Sequence, residues 1–187
     1  MSNSPITVLG FAGSLRTRSY NRALIRATRE LAPPEMTIKV YDLNDIPLYN
    51  GDIDNDESRP ASIEHFKNAI AAADGVLIST PEYNLGIPGV LKNALDWASR
   101  PVHRPMIHKP TAIMGASPGG SGAMRAQEQL KLNLLGIRAT LYPHPGVAVS
   151  RCRDKFDDDL RLTDEKTRSF LEKHLTGFAD WIQKSKG

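Results

Sequence analysis

The sequence predicts an α/β fold, a doubly wound sheet of five parallel strands with helices on both faces. Three observations carry this reading. Short apolar runs alternate with helical patterns along the whole 187-residue chain. The runs ITVLGFAG, GVLIST and PTAIMGAS are apolar almost throughout, as strands covered on both faces must be. Each run is followed by a helical segment, the pattern that parallel pairing requires.

The first strand spans 6–13 and ends in glycine. Residues 20–32 place Leu24, Ala27 and Leu31 on one helical face, and Pro33-Pro34 stops the helix. In MTIKVYDL (36–43), Met36, Ile38 and Val40 alternate with Thr37, Lys39 and Tyr41, which predicts a strand with one exposed face near a sheet edge. A polar loop over 44–60 leads to a helix over 61–73, marked by Ile63, Phe66 and Ile70. The buried strand 75–80 precedes a helix over 87–99, with Pro88 near its first turn, where a missing N–H costs nothing. Strand four covers 110–117, helix four 121–135, and the fifth strand region 139–150. The last helix, 163–184, keeps Leu171, Leu175, Phe178 and Ile182 in one stripe. Thr163 is its expected N-cap, with Asp164 and Glu165 favourable at the positive end. An edge-like second strand and right-handed crossovers give the order 2-1-3-4-5, the flavodoxin-like arrangement. No repeat or linker divides the chain, so residues 1–187 are expected to form one domain.

Composition excludes several functions. Charged residues make up 24% and apolar ones 40%, the balance of a globular protein. A net charge of +3, without a long basic run, argues against nucleic acid as partner. The lone Cys152 excludes an internal disulfide framework and cysteine-rich zinc sites, and without a nearby His or a CxxC partner it reads as inert. Neither a signal-peptide pattern nor a membrane-length apolar stretch occurs, so a cytoplasmic location is expected. Asp52, Asp54 and Asp56 have calcium-loop spacing, but Glu57 stands where glycine is needed and Ile63 where the bidentate glutamate belongs. That loop reads as a solvated surface, and no metal is expected. Arg18, Arg22, Arg26 and Arg29 read as a solvated helix face partly paired with Glu30. Trp97 and Trp181 are expected in the core or an interface.

In a sheet of this order, ligands bind beyond the carboxyl ends of the strands, at the switch point between strands 1 and 3. Three unusual loops meet there. GSLRTRSYN (13–21) surrounds a helix start with Ser14, Arg16, Ser19 and Asn21, donors suited to an anion. It has neither dinucleotide nor P-loop spacing, so a terminal monophosphate fits best. In PEYNLGIPG, Gly86, Pro88 and Gly89 imply a shaped turn that directs backbone N–H groups outward, toward the N5 and carbonyl edge of a ring such as a flavin. The third loop contains GASPG, which matches a serine-hydrolase elbow, and Asp154 and His174 follow in triad order. The oxyanion hole of that elbow needs the N–H after the serine, and here that residue is Pro118, which has none. A glycine-rich turn that lets a flat ring approach is the better use of Gly119 and Gly120.

Together GSLRTRSYN, TPEYNLGIPGVLKNALDW, SPGGSGAMRAQEQL and DIPLY resemble the NADPH-dependent FMN reductase family, which includes quinone, azo-dye and chromate reductases. The resemblance covers about residues 5–150. It implies non-covalent FMN, with Ser14, Arg16, Ser19, Tyr20 and Asn21 at the phosphate. It places Pro81, Glu82, Tyr83, Asn84, Leu85, Ser117, Gly119 and Gly120 around the ring. It also implies a hydride donor, NADPH or NADH, a small-molecule acceptor such as a quinone, azo compound or flavin, and a homodimer or homotetramer. No side chain is assigned a catalytic role in the narrow sense. The alternative on the same fold is a flavodoxin-type electron carrier, although this chain is net positive and PEYN offers only Tyr83 as an aromatic.

Overall fold

Alternating side chains of the central strands fix the architecture. In the computed structural model, which describes residues 4–185, strand β1 (Ile6–Ala12) sends Ile6 and Val8 to one face and Leu9 and Phe11 to the other. The ends of the expected 1–187 domain, residues 1–3 and 186–187, lie outside the described residues. Strands β3 (Gly75–Thr80) and β4 (Pro110–Ala116) divide in the same way, with Leu77, Ala112 and Met114 on the first face and Val76, Ile78 and Ile113 on the second. Helices α1 (Tyr20–Leu31) and α5 (Glu165–Ser185) cover the first face. Helices α2 (Ala61–Ala72), α3 (Gly89–Ser99) and α4 (Met124–Gly136) cover the second. Phe11 and Phe66 meet edge to face there at 5.6 Å, and burying each such ring contributes roughly 1.5–3 kcal/mol.

The strand order is β2-β1-β3-β4-β5, all parallel, with β2 (Met36–Tyr41) at one edge. Met36 and Ile38 are buried as expected, but Val40 is half exposed because it lines a shallow cleft with Arg22, Ile25 and Tyr41.

The fifth strand region differs from expectation. It breaks into β5 (Thr140–Leu141), paired with the start of β4, and β6 (Val147–Val149), paired with its end. Pro143 and Pro145 carry no N–H for a ladder, and Gly146 adopts φ 94. The intervening turn packs Tyr142 and His144 against Phe170, His174 and Phe178 of α5.

Two further expectations are corrected. The polar loop after β2 is not merely a solvated surface: Arg59 bonds Asp54 at 2.7 Å, and the Asp54 side chain is only 5% exposed. The same loop is anchored to α3, since Trp97 Nε1 and Asn93 Nδ2 both donate to the Pro47 carbonyl. Trp97 is therefore a core residue. The cap of α5 is Asp164, whose Oδ2 accepts from the Thr167 N–H at 2.8 Å; Thr163 instead donates to the Lys155 carbonyl. The hydroxyl and N–H of Thr167, both donating to Oδ2, hold the Asp164 carboxyl below its ordinary pKa.

Candidate functional site

The three loops converge because their stems are bound to one another. The Gly13 N–H donates to the Ser79 carbonyl, tying the end of β1 to β3. A Cβ at Gly13 would stand 3.0 Å from both Leu91 and Pro88, so only glycine lets the first loop leave this close to α3. Leu15, Arg16, Thr17 and Arg18 are then exposed, while Ser14 and Ser19 are buried beside them. Ser19 is the N-cap of α1, its Oγ accepting from the Arg22 N–H at 3.4 Å. The N–H groups of Tyr20 and Asn21 in that first turn have no intrahelical acceptor. The Tyr20 ring packs on Phe156 at 5.4 Å.

Asn21 sits differently from expectation. Its side chain is buried and bonds Ala116 twice, donating to the carbonyl and accepting from the N–H, and it accepts from Ser79 Oγ as well. Only its backbone N–H is left for an anion. The arginine face also departs from expectation, since Arg22 pairs with Asp42 rather than Glu30 and Arg18 donates to the Asp158 carbonyl.

The second loop is a tight hairpin. Tyr83 and Gly86 exchange two backbone hydrogen bonds of 3.0 Å, with Asn84 at φ 50 and Leu85 at φ 66 between them. Two successive positive φ angles are the signature of a type I′ turn, in which a leucine is strained. Tyr83, Asn84 and Leu85 are exposed, and Pro81 is buried at the stem. Glu82 does not extend freely toward a ring: its carboxylate accepts from the Arg125 N–H and pairs with Arg125 Nη1 at 3.0 Å.

The third loop joins the others through β6, where the Ser117 N–H donates to the Val149 carbonyl and Arg151 N–H to the Gly119 carbonyl. Ser117 Oγ is buried without a hydrogen-bond partner among the described residues. Gly119 and Gly120 have open space where a Cβ would stand, with nothing within 4 Å. An unpartnered hydroxyl beside an open glycine shelf suits a flat, polar-edged ring.

A hydrolase does not fit this geometry. His174 bonds His144, at 3.2 Å, and Ser117 Oγ has no base to take its proton. An organophosphonate should therefore leave Ser117 unlabelled, as mass spectrometry would show. Cys152 is equally unreactive, since burial pushes its thiol up to about 11.

Electrostatically the first loop offers an anion the exposed Arg16 and the positive end of α1. A groove of about 550 Å³ lies elsewhere, between α3 and α4, lined by Lys92, Arg100, Leu132 and Arg138. Sequence reasoning missed Arg125 and Gln129, which fasten the second loop from α4. Each is a single polar residue on a helix, without local signal.

Residues 6–154 match the model of the NADPH-dependent FMN reductase family. The chain is 42% identical to an NAD(P)H-dependent FMN reductase of Pseudomonas aeruginosa, over 97% of this chain and 98% of that one. It is 36% identical to a quinone reductase of Escherichia coli K12, over 97% of each chain. Among solved structures, FerB, a flavoenzyme NAD(P)H:(acceptor) oxidoreductase from Paracoccus denitrificans, has a TM-score of 0.87 and 38% identity, covering 96% of this chain and 98% of its own.

Proposed function

The chain belongs to the NADPH-dependent FMN reductase family and is a flavin-dependent oxidoreductase, and we propose that it serves NADPH or NADH as donor and a small quinone as acceptor. Azo compounds and free flavins are further acceptors of the same class. FMN when bound supplies the two-electron chemistry, and the protein supplies binding and orientation. The observation that carries this reading is the convergence of a donor-lined helix start with an open glycine shelf holding the unpartnered Ser117 Oγ.

In this reading Ser14, Arg16, Ser19 and the first-turn N–H groups of Tyr20 and Asn21 hold the phosphate. Arg16 alone brings a mobile full charge, and its exposure leaves it free to close on a dianion. Pro81, Tyr83, Asn84 and Leu85, with Glu82 behind them on Arg125, form one wall of the ring site, and Ser117, Gly119 and Gly120 form the other. Exposed Tyr83 and Leu85 offer apolar surface to the ring, and the turn between them offers backbone donors to its polar edge. No side chain is required as acid or base. The protein acts by orienting the donor, and then the acceptor, over one open face.

A homodimer or homotetramer belongs to the same proposal. Met124, Leu132 and Leu135 are exposed along one stripe of α4, which begins beside the ring loop at the Arg125–Glu82 pair. A cytoplasmic location is likewise part of the proposal; among the described residues no helix is long and apolar enough to cross a membrane.

Arg16→Ala tests the phosphate assignment. Losing a charge-assisted contact to a dianion costs ~1.5–3 kcal/mol, so FMN affinity should fall roughly ten- to a hundred-fold. Riboflavin affinity should hardly change. Arg29→Ala, in the last turn of α1, removes the same charge far from the loop and controls for long-range attraction. Isothermal titration of both variants with both ligands checks this. A loss shared equally by FMN and riboflavin would withdraw the assignment. Anaerobic stopped flow with NADPH and NADH separates an enzyme from a passive carrier, since an enzyme's flavin absorbance bleaches rapidly.

A further inference from the structure

The hairpin Tyr83–Gly86 poses a problem of its own. A type I′ turn favours glycine at its second central position, yet Leu85 stands there at φ 66. Leu85 is 66% exposed, so packing within the chain does not compensate for the strain. Something outside the turn must hold it.

Two residues on either side of that turn meet α4. Ahead of it, Glu82 Oε2 accepts from the Arg125 N–H at 3.1 Å while Oε1 pairs with Arg125 Nη1. The Ala126 N–H also points at Oε2, at 3.5 Å. Ala123 occupies the N-cap of α4 and has no side-chain cap bond, so the Glu82 carboxylate serves as the missing cap, at the helix end where a negative charge is favoured. Behind the turn, Gln129 Oε1 accepts from the Ile87 N–H at 2.6 Å. Gln129 also presses on Gly86, where an added Cβ would lie 2.6 Å from the same oxygen. Residues 125 and 129 are one helical turn apart and therefore share a face of α4. The hairpin is clamped at both ends from a single helix.

We propose that Glu82 and Gln129 are positioning residues that keep the strained turn aimed at the flavin ring; this rests on the flavin reading given above. Neither needs to touch the ring. With the clamp closed, Asn84 and Leu85 stay at positive φ and their N–H groups stay fixed relative to the glycine shelf. With it open, Leu85 relaxes to negative φ and the donors turn away from the ring edge. The same clamp couples the second loop to the third, because α4 starts directly after the Gly119–Ala123 turn. None of the clamp's hydrogen bonds reaches the phosphate loop, which is anchored through α1.

That last point supplies the test. Gln129 is exposed, so Gln129→Leu should fold normally. It should weaken FMN and riboflavin by the same factor, roughly three- to tenfold for one lost hydrogen bond, and change the visible circular dichroism of the bound flavin. Gln129→Glu keeps the acceptor oxygen and should restore both the affinities and the spectrum. Glu82→Ala should show the same equal loss, together with a lower melting temperature of the flavin-free protein, because α4 loses its cap. If Gln129→Leu binds both flavins as the wild type does, with an unchanged spectrum, the clamp has no bearing on the ring and the proposal fails. It also fails if only FMN is weakened, or if Glu82→Ala lowers the melting temperature alone. Wild-type protein that takes up neither flavin in the same titration would instead overturn the flavin reading itself.

Discussion

Asn21→Ala should cost about 3–5 kcal/mol of stability, the largest loss expected from any single side chain of the site. Asn21 is 3% exposed and makes three hydrogen bonds of 2.9 Å, two to the backbone of Ala116 and one from Ser79 Oγ. It thus acts as a substitute strand neighbour for the last residue of β4. Alanine leaves an N–H, a carbonyl and a hydroxyl buried without these partners, each costing ~1–3 kcal/mol before local relaxation. Asn21→Asp separates the polar terms from the volume change. It keeps one acceptor but turns the Nδ2 donor into an oxygen facing the Ala116 carbonyl. At pH 7 that variant should be at least as unstable as the alanine one. It should recover in part as acid protonates the carboxylate and restores a donor. Urea unfolding monitored by circular dichroism at pH 7 and pH 5 measures both effects. A loss below ~1 kcal/mol for Asn21→Ala would show that water replaces the bridge at little cost. Because the bridge anchors both the first turn of α1 and the stem of the third loop, affinity should fall with stability for riboflavin as well as for FMN, unlike in Arg16→Ala.

What the sequence makes legible depends on the range of the interaction. Strands β1, β3 and β4 announce themselves because burial on both faces leaves no polar position to confuse the pattern. The three loops announce themselves through glycine, proline and donor content, which are local properties. The break between β5 and β6 was also written locally, in Pro143, Pro145 and Gly146, but the apolar residues on both sides suggest one strand. Only pairing with β4 shows that each half serves a different end of it. The bridge from Asn21 to Ala116 spans 95 residues, and the bond from Ile87 to Gln129 spans 42. No local pattern marks such partners, so neither the side-chain bridge of Asn21 nor the contact of Gln129 is legible in the sequence. The serine elbow shows the converse, since its strand–turn–helix context is right and one missing N–H at Pro118 decides against it.

Acid should destabilise the protein through the histidine pair behind the third loop. The Gly146 N–H donates to His144 Nδ1, which must therefore be an acceptor, so the bond of 3.2 Å between the two Nδ1 atoms carries its proton on His174. His174 Nε2 is then a bare lone pair, buried with no partner among the described residues, and a second proton there has nothing to bond. Burial, reinforced by the neighbouring His144, pushes the His174 pKa down to about 3, and burial lowers that of His144 too. An unfolded histidine titrates near ~6.5. Below that pH the unfolded chain binds protons that the folded chain refuses, so stability is full above ~6.5 and falls as the pH drops toward the folded value. For His174 alone the slope is ~1.4 kcal/mol per pH unit, or about 2–3 kcal/mol between pH 7 and pH 4.5. His174→Asn keeps a donor near Nδ1 but cannot titrate. Its stability should lie below the wild type at pH 8 and converge on it, or pass it, by pH 4.5. Chemical denaturation across that range measures the difference, and parallel curves for the two proteins would remove His174 as the source. His144 sits on the turn that ends at β6, and the Val149 carbonyl of β6 holds the Ser117 N–H. Acid that opens the pair therefore loosens the glycine shelf before it melts the sheet, and flavin release should precede unfolding along the same titration.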